Sequence, residues 1–171
     1  MINDTSDQEP ALYNAYLAVD CRRTEVALDL GATAAMGSVQ AWERLDQMLK
    51  EVIGFGFERS ASFQRFRVAS GHIQKGLQDF SIKIPLRKNG KRVDYLFRGT
   101  SVDCGADEHA QTPVLFSIRD CTALGLQIDT EDARLNFKHL GNLPMQCRRC
   151  MSGHFAFDFV RLIQSALSKN G

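Results

Sequence analysis

The distribution of apolar residues predicts a mostly β domain, a small closed barrel with two or three short helices, and three observations carry that expectation. Phe80, Ile82, Ile84 and Leu86 alternate strictly, as a strand with one buried face requires. Asn89-Gly90 follows them, a dipeptide that tolerates the positive φ angles of a two-residue hairpin turn. Helical periodicity is confined to short stretches, so strands dominate and a closed sheet is favoured over a parallel α/β arrangement.

Taken in order, residues 1–22 show no sustained pattern and read as an N-terminal arm or linker ahead of a domain over 23–159. Val26 and Leu28 share one face of a strand that runs into Asp29-Leu30-Gly31-Ala32-Thr33. The period then changes: Val39, Trp42, Leu45, Met48 and Leu49 fall on one helical face behind Ser38, a good N-cap, and Gly54 and Gly56 punctuate a turn. Phe63, Phe66 and Val68 lead to a hairpin tip at Ser70-Gly71, with the return through His72, Ile73 and Leu77.

Folding about Asn89-Gly90 sets Leu86 opposite Val93, Ile84 opposite Tyr95, and Ile82 opposite Phe97. Pro85, which lacks an N–H, then belongs at a sheet edge near Asp94. The cations Arg87, Lys88, Lys91 and Arg92 flank the turn and read as a solvated tip rather than a phosphate fork. A polar loop over 103–111 precedes a short strand of Val114, Leu115, Phe116 and Ile118, and a helix over Arg119–Leu124 stops at Gly125. Leu126–Asp129 and Arg134–Phe137 form another hairpin. Phe155, Phe157 and Phe159 alternate, and residues 160–171 read as a C-terminal helix or tail.

Composition narrows the function classes. The chain has 171 residues, 44% of them hydrophobic and 24% charged, enough to bury a core. A net charge of +1 supplies no global field, so neither direct nucleic-acid binding nor a membrane surface is expected. The N-terminus lacks the basic start and apolar run of a signal peptide, and no apolar stretch approaches the roughly 20 residues that span a bilayer. Five scattered cysteines in that setting read as reduced thiols of an intracellular, cytoplasmic protein.

The segment richest in chemistry is Val26-Ala-Leu-Asp-Leu-Gly-Ala-Thr33. A strand-end Asp followed two residues later by Gly sits at a tight turn where backbone amides approach the carboxylate. Two such carboxylates about 3 Å apart cannot both ionise, so one serves as general base on water while the other keeps its proton. Val102-Asp103-Cys104-Gly105-Ala106 repeats the pattern, but no apolar strand leads into it and too little chain follows.

Other constellations carry less. Cys147, Cys150 and His154 supply three zinc ligands where a structural site wants four, so no metal is expected. His72, His109 and His139 stand apart from any nucleophile elbow. Gly54-Phe-Gly56 lacks the third glycine and the lysine of a phosphate loop.

The joint order of strand, Asp-x-Gly-Ala-Thr, long hairpin, Thr-Pro-Val-Leu-Phe-Ser-Ile-Arg-Asp, short helix and Leu-Gly-Leu-Gln-Ile-Asp resembles the retropepsin-like aspartic proteases of copia-like long-terminal-repeat retrotransposons, over roughly residues 24–159. The resemblance implies Asp29 as the catalytic carboxylate, with Leu30, Gly31, Ala32 and Thr33 forming its loop. It implies a flap built from Val68, Ser70, Gly71, His72 and Ile73 that closes over an extended peptide or polyprotein substrate. Leu115, Phe116, Ser117, Ile118, Arg119 and Asp120 would match the second signature, an apolar strand beneath the active-site loop. One Asp per chain implies a homodimer, no cofactor, and an intracellular setting within the element's particles. Two positions depart from the family: Leu30 stands where Ser or Thr is usual, and Ser117 where Gly is usual. The alternative implied by those departures is a degenerate copy of the fold, kept for dimerisation or peptide binding.

Overall fold

Strict alternation of Val26 and Leu28 against Ala27 gives the first strand, β1 (Glu25–Asp29), two apolar faces, and both are buried. The structure is a computed structural model describing residues 21–67, 73–107 and 111–171. Of the expected arm over 1–22, residues 1–20 lie outside the described residues. β2 (Ala35–Ser38) leads into α1 (Val39–Ile53). β3 (Glu58–Ala61), β4 (Arg65–Arg67) and β5 (Ile73–Lys75) precede the long hairpin of β6 (Gln78–Lys88) and β7 (Lys91–Val102). Then come β8 (Leu115–Ser117), α2 (Ile118–Leu124), β9 (Leu126–Asp129), β10 (Arg134–Phe137) and a 3-10 turn (Lys138–Leu140). β11 (Leu143–Gln146), β12 (Arg148–Arg149), β13 (Phe155–Asp158) and α3 (Phe159–Asn170) complete the described chain.

The described residues are mostly β, with three α-helices among them, as the alternation predicts. It does not contain the expected closed barrel among the described residues. The strands instead form four separate sheets, ordered β12-β13-β1-β8, β11-β10-β9, β2-β7-β6-β3 and β4-β5. The reason lies in the helices. α1 and α3 pack on one another and α3 lies against β6. Pro85 is buried there and its carbonyl accepts the Asn170 side-chain amide at 3.3 Å. Beyond Ser81, where pairing with β3 ends, that edge of β6 lies against α3 and carries a proline, which offers no N–H with which to continue a sheet.

Aromatic side chains fill the space between the sheets. Trp42 of α1 stacks on Phe80 at 4.9 Å, Phe97 stacks on Phe116 at 5.7 Å, and Phe116 meets Phe157 edge-on at 5.1 Å. Phe159, Val160, Leu162, Ile163 and Ala166 of α3 belong to the same core, so the C-terminal helix is part of the body. Such ring pairs add about 0.5–1.5 kcal/mol each beyond the area they bury.

Local expectations fare unevenly. The β6–β7 register is the one expected: Leu86 pairs with Val93, Ile84 with Tyr95, Ile82 with Phe97, and Asn89 and Gly90 take φ of 50° and 76°. Ser38 caps α1 by accepting the Ala41 N–H at 3.1 Å, and Gly54 ends it at φ 98°. Val39, Phe63 and Val93 do not join the core. Phe63 is 94% exposed in the link between β3 and β4, and Val39 and Val93 are open to solvent. Ile118 opens α2 instead of ending a strand and is exposed. No helix among the described residues is long and apolar enough to cross a membrane.

Candidate functional site

Asp29 ends β1 as the chain turns away from the sheet. Its Oδ1 accepts the Gly31 N–H at 2.9 Å, and its carbonyl accepts the Ala32 N–H at 3.2 Å. A Cβ on residue 31 would lie 3.3 Å from Oδ1, so glycine here permits close approach of backbone to carboxylate. Asp29 is half-buried, Leu30 is 51% exposed, and Gly31 and Thr33 face solvent.

The floor beneath this loop comes from far along the chain. β8 lies parallel to β1 with Ala27 opposite Leu115, Leu28 opposite Phe116 and Asp29 opposite Ser117. Immediately beyond the strand, the Ile118 N–H donates to the Ala32 carbonyl at 3.0 Å, tying the loop to the start of α2. β2 approaches the same segment closely, since a Cβ at Gly37 would meet the Val114 Cα at 2.9 Å. The Asp29 loop and Leu115–Asp120 are therefore brought together by direct backbone bonds.

Ser117 is fully buried, and its hydroxyl is absorbed locally. Its Oγ donates to Asp120 Oδ2 at 2.6 Å, its N–H donates to the same oxygen at 3.1 Å, and together they form a capping box at the N-terminus of α2. Asp120, also fully buried, accepts a third bond from the Tyr95 hydroxyl at 2.5 Å on Oδ1. Nothing in residue spacing announces Tyr95. It is visible only after β7 and α2 are placed. Arg119 is exposed and reaches the Arg98 carbonyl at 3.4 Å.

The hairpin expected to be the flap is present as β4 and β5, with Arg65 opposite Lys75 and Arg67 opposite Ile73. Its tip, including Val68, Ser70, Gly71 and His72, lies outside the described residues. Ile73 is exposed on β5. The base of the hairpin stands on the far end of β7, where the Leu77 N–H donates to the Ser101 carbonyl at 2.8 Å and Gln74 reaches the Asp103 carbonyl at 3.2 Å.

Asp103 shares the local geometry of Asp29, for its Oδ1 accepts the Gly105 N–H at 2.8 Å. It differs in setting, being exposed in a loop that follows the end of β7. The Cys147, Cys150 and His154 set does not converge. Cys147 joins the main core, whereas Cys150 sits in a second cluster with Ala27, Leu115 and Ala156 on the other side of the β1 sheet. Burial, followed by the Glu25 charge, pushes the Cys147 thiol up to about 12. No group of three or more His, Cys, Asp and Glu side chains among the described residues is arranged to hold a metal ion. Compared with known proteins, the chain matches no family model and no curated sequence.

Proposed function

We propose that this chain is one subunit of a retropepsin-like aspartic endopeptidase, with Asp29 as its carboxylate, and that it processes the polyprotein of a retrotransposon. The observation that supports the reading best is the parallel register of β1 and β8. It sets a strand-end Asp-x-Gly-Ala loop directly over an apolar strand that enters a short helix, with the Ile118 N–H bonded to the Ala32 carbonyl.

A lone carboxylate cannot both accept a proton from water and donate one to a peptide carbonyl. The reaction needs a second, and Asp29 of another copy supplies it across a two-fold axis. One carboxylate of the pair is ionised and takes the proton from water as the oxygen attacks the scissile carbonyl. The other donates its proton, first to the carbonyl oxygen. Gly31 N–H on Asp29 Oδ1 fixes the carboxylate plane, leaving Oδ2 for this exchange. The peptide lies extended beneath the β4–β5 hairpin.

A second reading is supported by Leu30. With no hydroxyl after Asp29, nothing on that side chain can hydrogen-bond across the two-fold axis, and a catalytically silent copy that retains dimerisation or peptide binding is the consequence. Cleavage of a peptide library at about pH 5 by wild type, Asp29→Asn and Asp103→Asn separates the readings. Activity lost in Asp29→Asn alone supports the peptidase. Loss in Asp103→Asn alone moves the site to the second loop. A wild type that dimerises but neither cleaves peptides nor holds pepstatin is the silent copy.

A further inference from the structure

We infer that Cys21 and Cys150 are a disulfide-forming pair, closed when the chain meets a low-molecular-weight disulfide such as oxidised glutathione. One carboxylate draws the two cysteines together. Glu25 Oε1 accepts the Arg22 N–H at 2.8 Å and Arg148 Nη2 at 2.7 Å, and Oε2 accepts Arg148 Nε at 3.3 Å. Arg22 follows Cys21 directly, and Arg148 lies two residues before Cys150. The sheet supplies the rest. Ala27 of β1 pairs with Ala156 of β13, which pairs in turn with Arg148 of β12. Ala27, Ala156, Leu115 and Cys150 then cluster on the face turned away from the main core, and Cys21 packs on that cluster. The Cys21 S–H donates to the Cys150 sulfur, so the two side chains are already in contact.

The backbone holds Cys150 from its own side. Its N–H donates to the His154 carbonyl at 2.8 Å, and its carbonyl accepts the Gly153 N–H at 2.9 Å. Cys21 lies ahead of β1 and outside any strand, so the segment before β1 can shift to bring contact down to a bond. The remaining cysteines are placed elsewhere. Cys121 and Cys147 belong to the main core, and Cys104 sits against Thr112 at 3.9 Å. The pairing does not depend on Asp29 being catalytic.

Cys150 is buried, whereas Cys21 is half-buried and borders a surface cleft with Arg23 and Gln111, so Cys21 meets the reagent first. Its sulfur loses a proton and attacks one sulfur of the small disulfide, whose S–S bond breaks. One half leaves as a thiolate and takes up a proton. The Cys150 sulfur then loses its own proton and attacks Cys21 Sγ, and the second half departs in the same way. Two cysteine thiols are oxidised to one disulfide, and one small disulfide is reduced to two thiols. The bond to Cys150 first, and then burial, push the Cys21 thiol up, so its thiolate is scarce and closure is slow. The closed loop spans more than 100 residues, the kind of tie that most restricts an unfolded chain.

The test incubates the full chain with oxidised glutathione at about pH 8 until its thiol content is constant. Alkylation with N-ethylmaleimide and peptide mapping by mass spectrometry then locate every cysteine. One linked peptide pair, Cys21 with Cys150 inside a single chain, is the expected result. The melting temperature should rise by roughly 5–15 °C and fall back with dithiothreitol. Cys150→Ser should lose both the linked pair and the shift, whereas Cys104→Ser should keep them. Three results on the wild-type chain would overturn the inference, whether or not Cys150→Ser folds. These are a lasting glutathione adduct on Cys21 beside an alkylated Cys150, linkage between chains on a non-reducing gel, or the same pair formed as readily in urea-unfolded chain.

Discussion

The Tyr95 hydroxyl donates to Asp120 Oδ1 at 2.5 Å, and through that bond the long hairpin grips the helix that lies under the Asp29 loop. The second carboxylate oxygen is held by Ser117, the residue paired with Asp29 across the β1–β8 register. Asp120 thus links three elements from a fully buried position, with a donor on each oxygen. A buried carboxylate is tolerated only when its lone pairs are answered, so each of these donors is a point of vulnerability.

Replacing Tyr95 by Phe removes the donor and leaves Oδ1 unanswered, at a cost of about 1–3 kcal/mol in urea unfolding. The pH dependence supplies a second, more specific signature. Burial first, and then the Asp120 charge, push the Tyr95 phenol above its ordinary 10.0. The folded state therefore holds that proton more tightly than the unfolded state. Its contribution is fully present below about pH 10 and is lost as pH rises beyond that value. Stability of Tyr95→Phe should fall less steeply between pH 9 and 11 than that of wild type, and equal slopes would contradict the assignment.

Acid stability rests on two other carboxylates. Burial pushes the Asp46 carboxyl up, but Lys50, the Phe57 N–H and Arg59 outweigh it and hold the group below 3.8. Asp79 behaves alike, with burial opposed by Thr100, Ser62 and Arg98. A depressed pKa contributes stability that is present above pH 3.8 and lost as pH falls through the folded value. Asp46→Asn should therefore lose about 1–3 kcal/mol at pH 7 yet show a flatter decline from pH 5 to 2.5. A decline as steep as that of wild type would show that Asp46 is not part of the acid limb.

How much of this was legible in advance follows from the range of each interaction. Asn89-Gly90 and the alternation around it specify the β6–β7 register because turn and strands are contiguous. Ser38, Gly54 and the 3.6-residue period mark α1 for the same reason. Of the partners of β1, β8 was expected only through the resemblance, as the apolar strand beneath the Asp29 loop, and β13 escaped notice, since Ala27 pairs with Ala156 about 130 residues along the chain. β3 is exposed along its whole length and β12 spans two residues, so neither shows an apolar period. The open arrangement of sheets was also hidden, because it depends on α3 covering the β6 edge at Pro85. At the site, Asp29 and Gly31 announced their turn, whereas Tyr95 acquires its role only from the placement of β7 against α2.

Gly99 offers a test of the core that does not involve the site. A Cβ there would lie 2.3 Å from Trp42 Cζ2 and 3.0 Å from Ala35 Cβ, both on elements packed against β7. Gly99→Ala must displace the indole, at about 1–3 kcal/mol. Trp42 is the chain's only tryptophan and is fully buried. Its emission should shift to the red in the folded variant, and an unchanged spectrum with unchanged stability would mean that Trp42 does not pack where described.

Leu30 decides whether the site needs a second copy. It follows Asp29 directly and exposes half of its apolar surface, as does Ile118 nearby at the start of α2. In a two-chain site these side chains meet their symmetry mates, and apolar contact takes the place of a hydroxyl lock between the loops. Burying one leucine contributes about 1.5–3 kcal/mol, enough to shift dimerisation by one to two orders of magnitude. Leu30→Glu sets two carboxylates face to face on the axis and should sediment as a folded monomer where wild type is a dimer. Leu30→Thr should retain the dimer and gain activity. Wild type that sediments as a monomer at about 100 μM, a concentration at which any dimer tighter than about −5 kcal/mol is populated, would remove the two-carboxylate mechanism altogether.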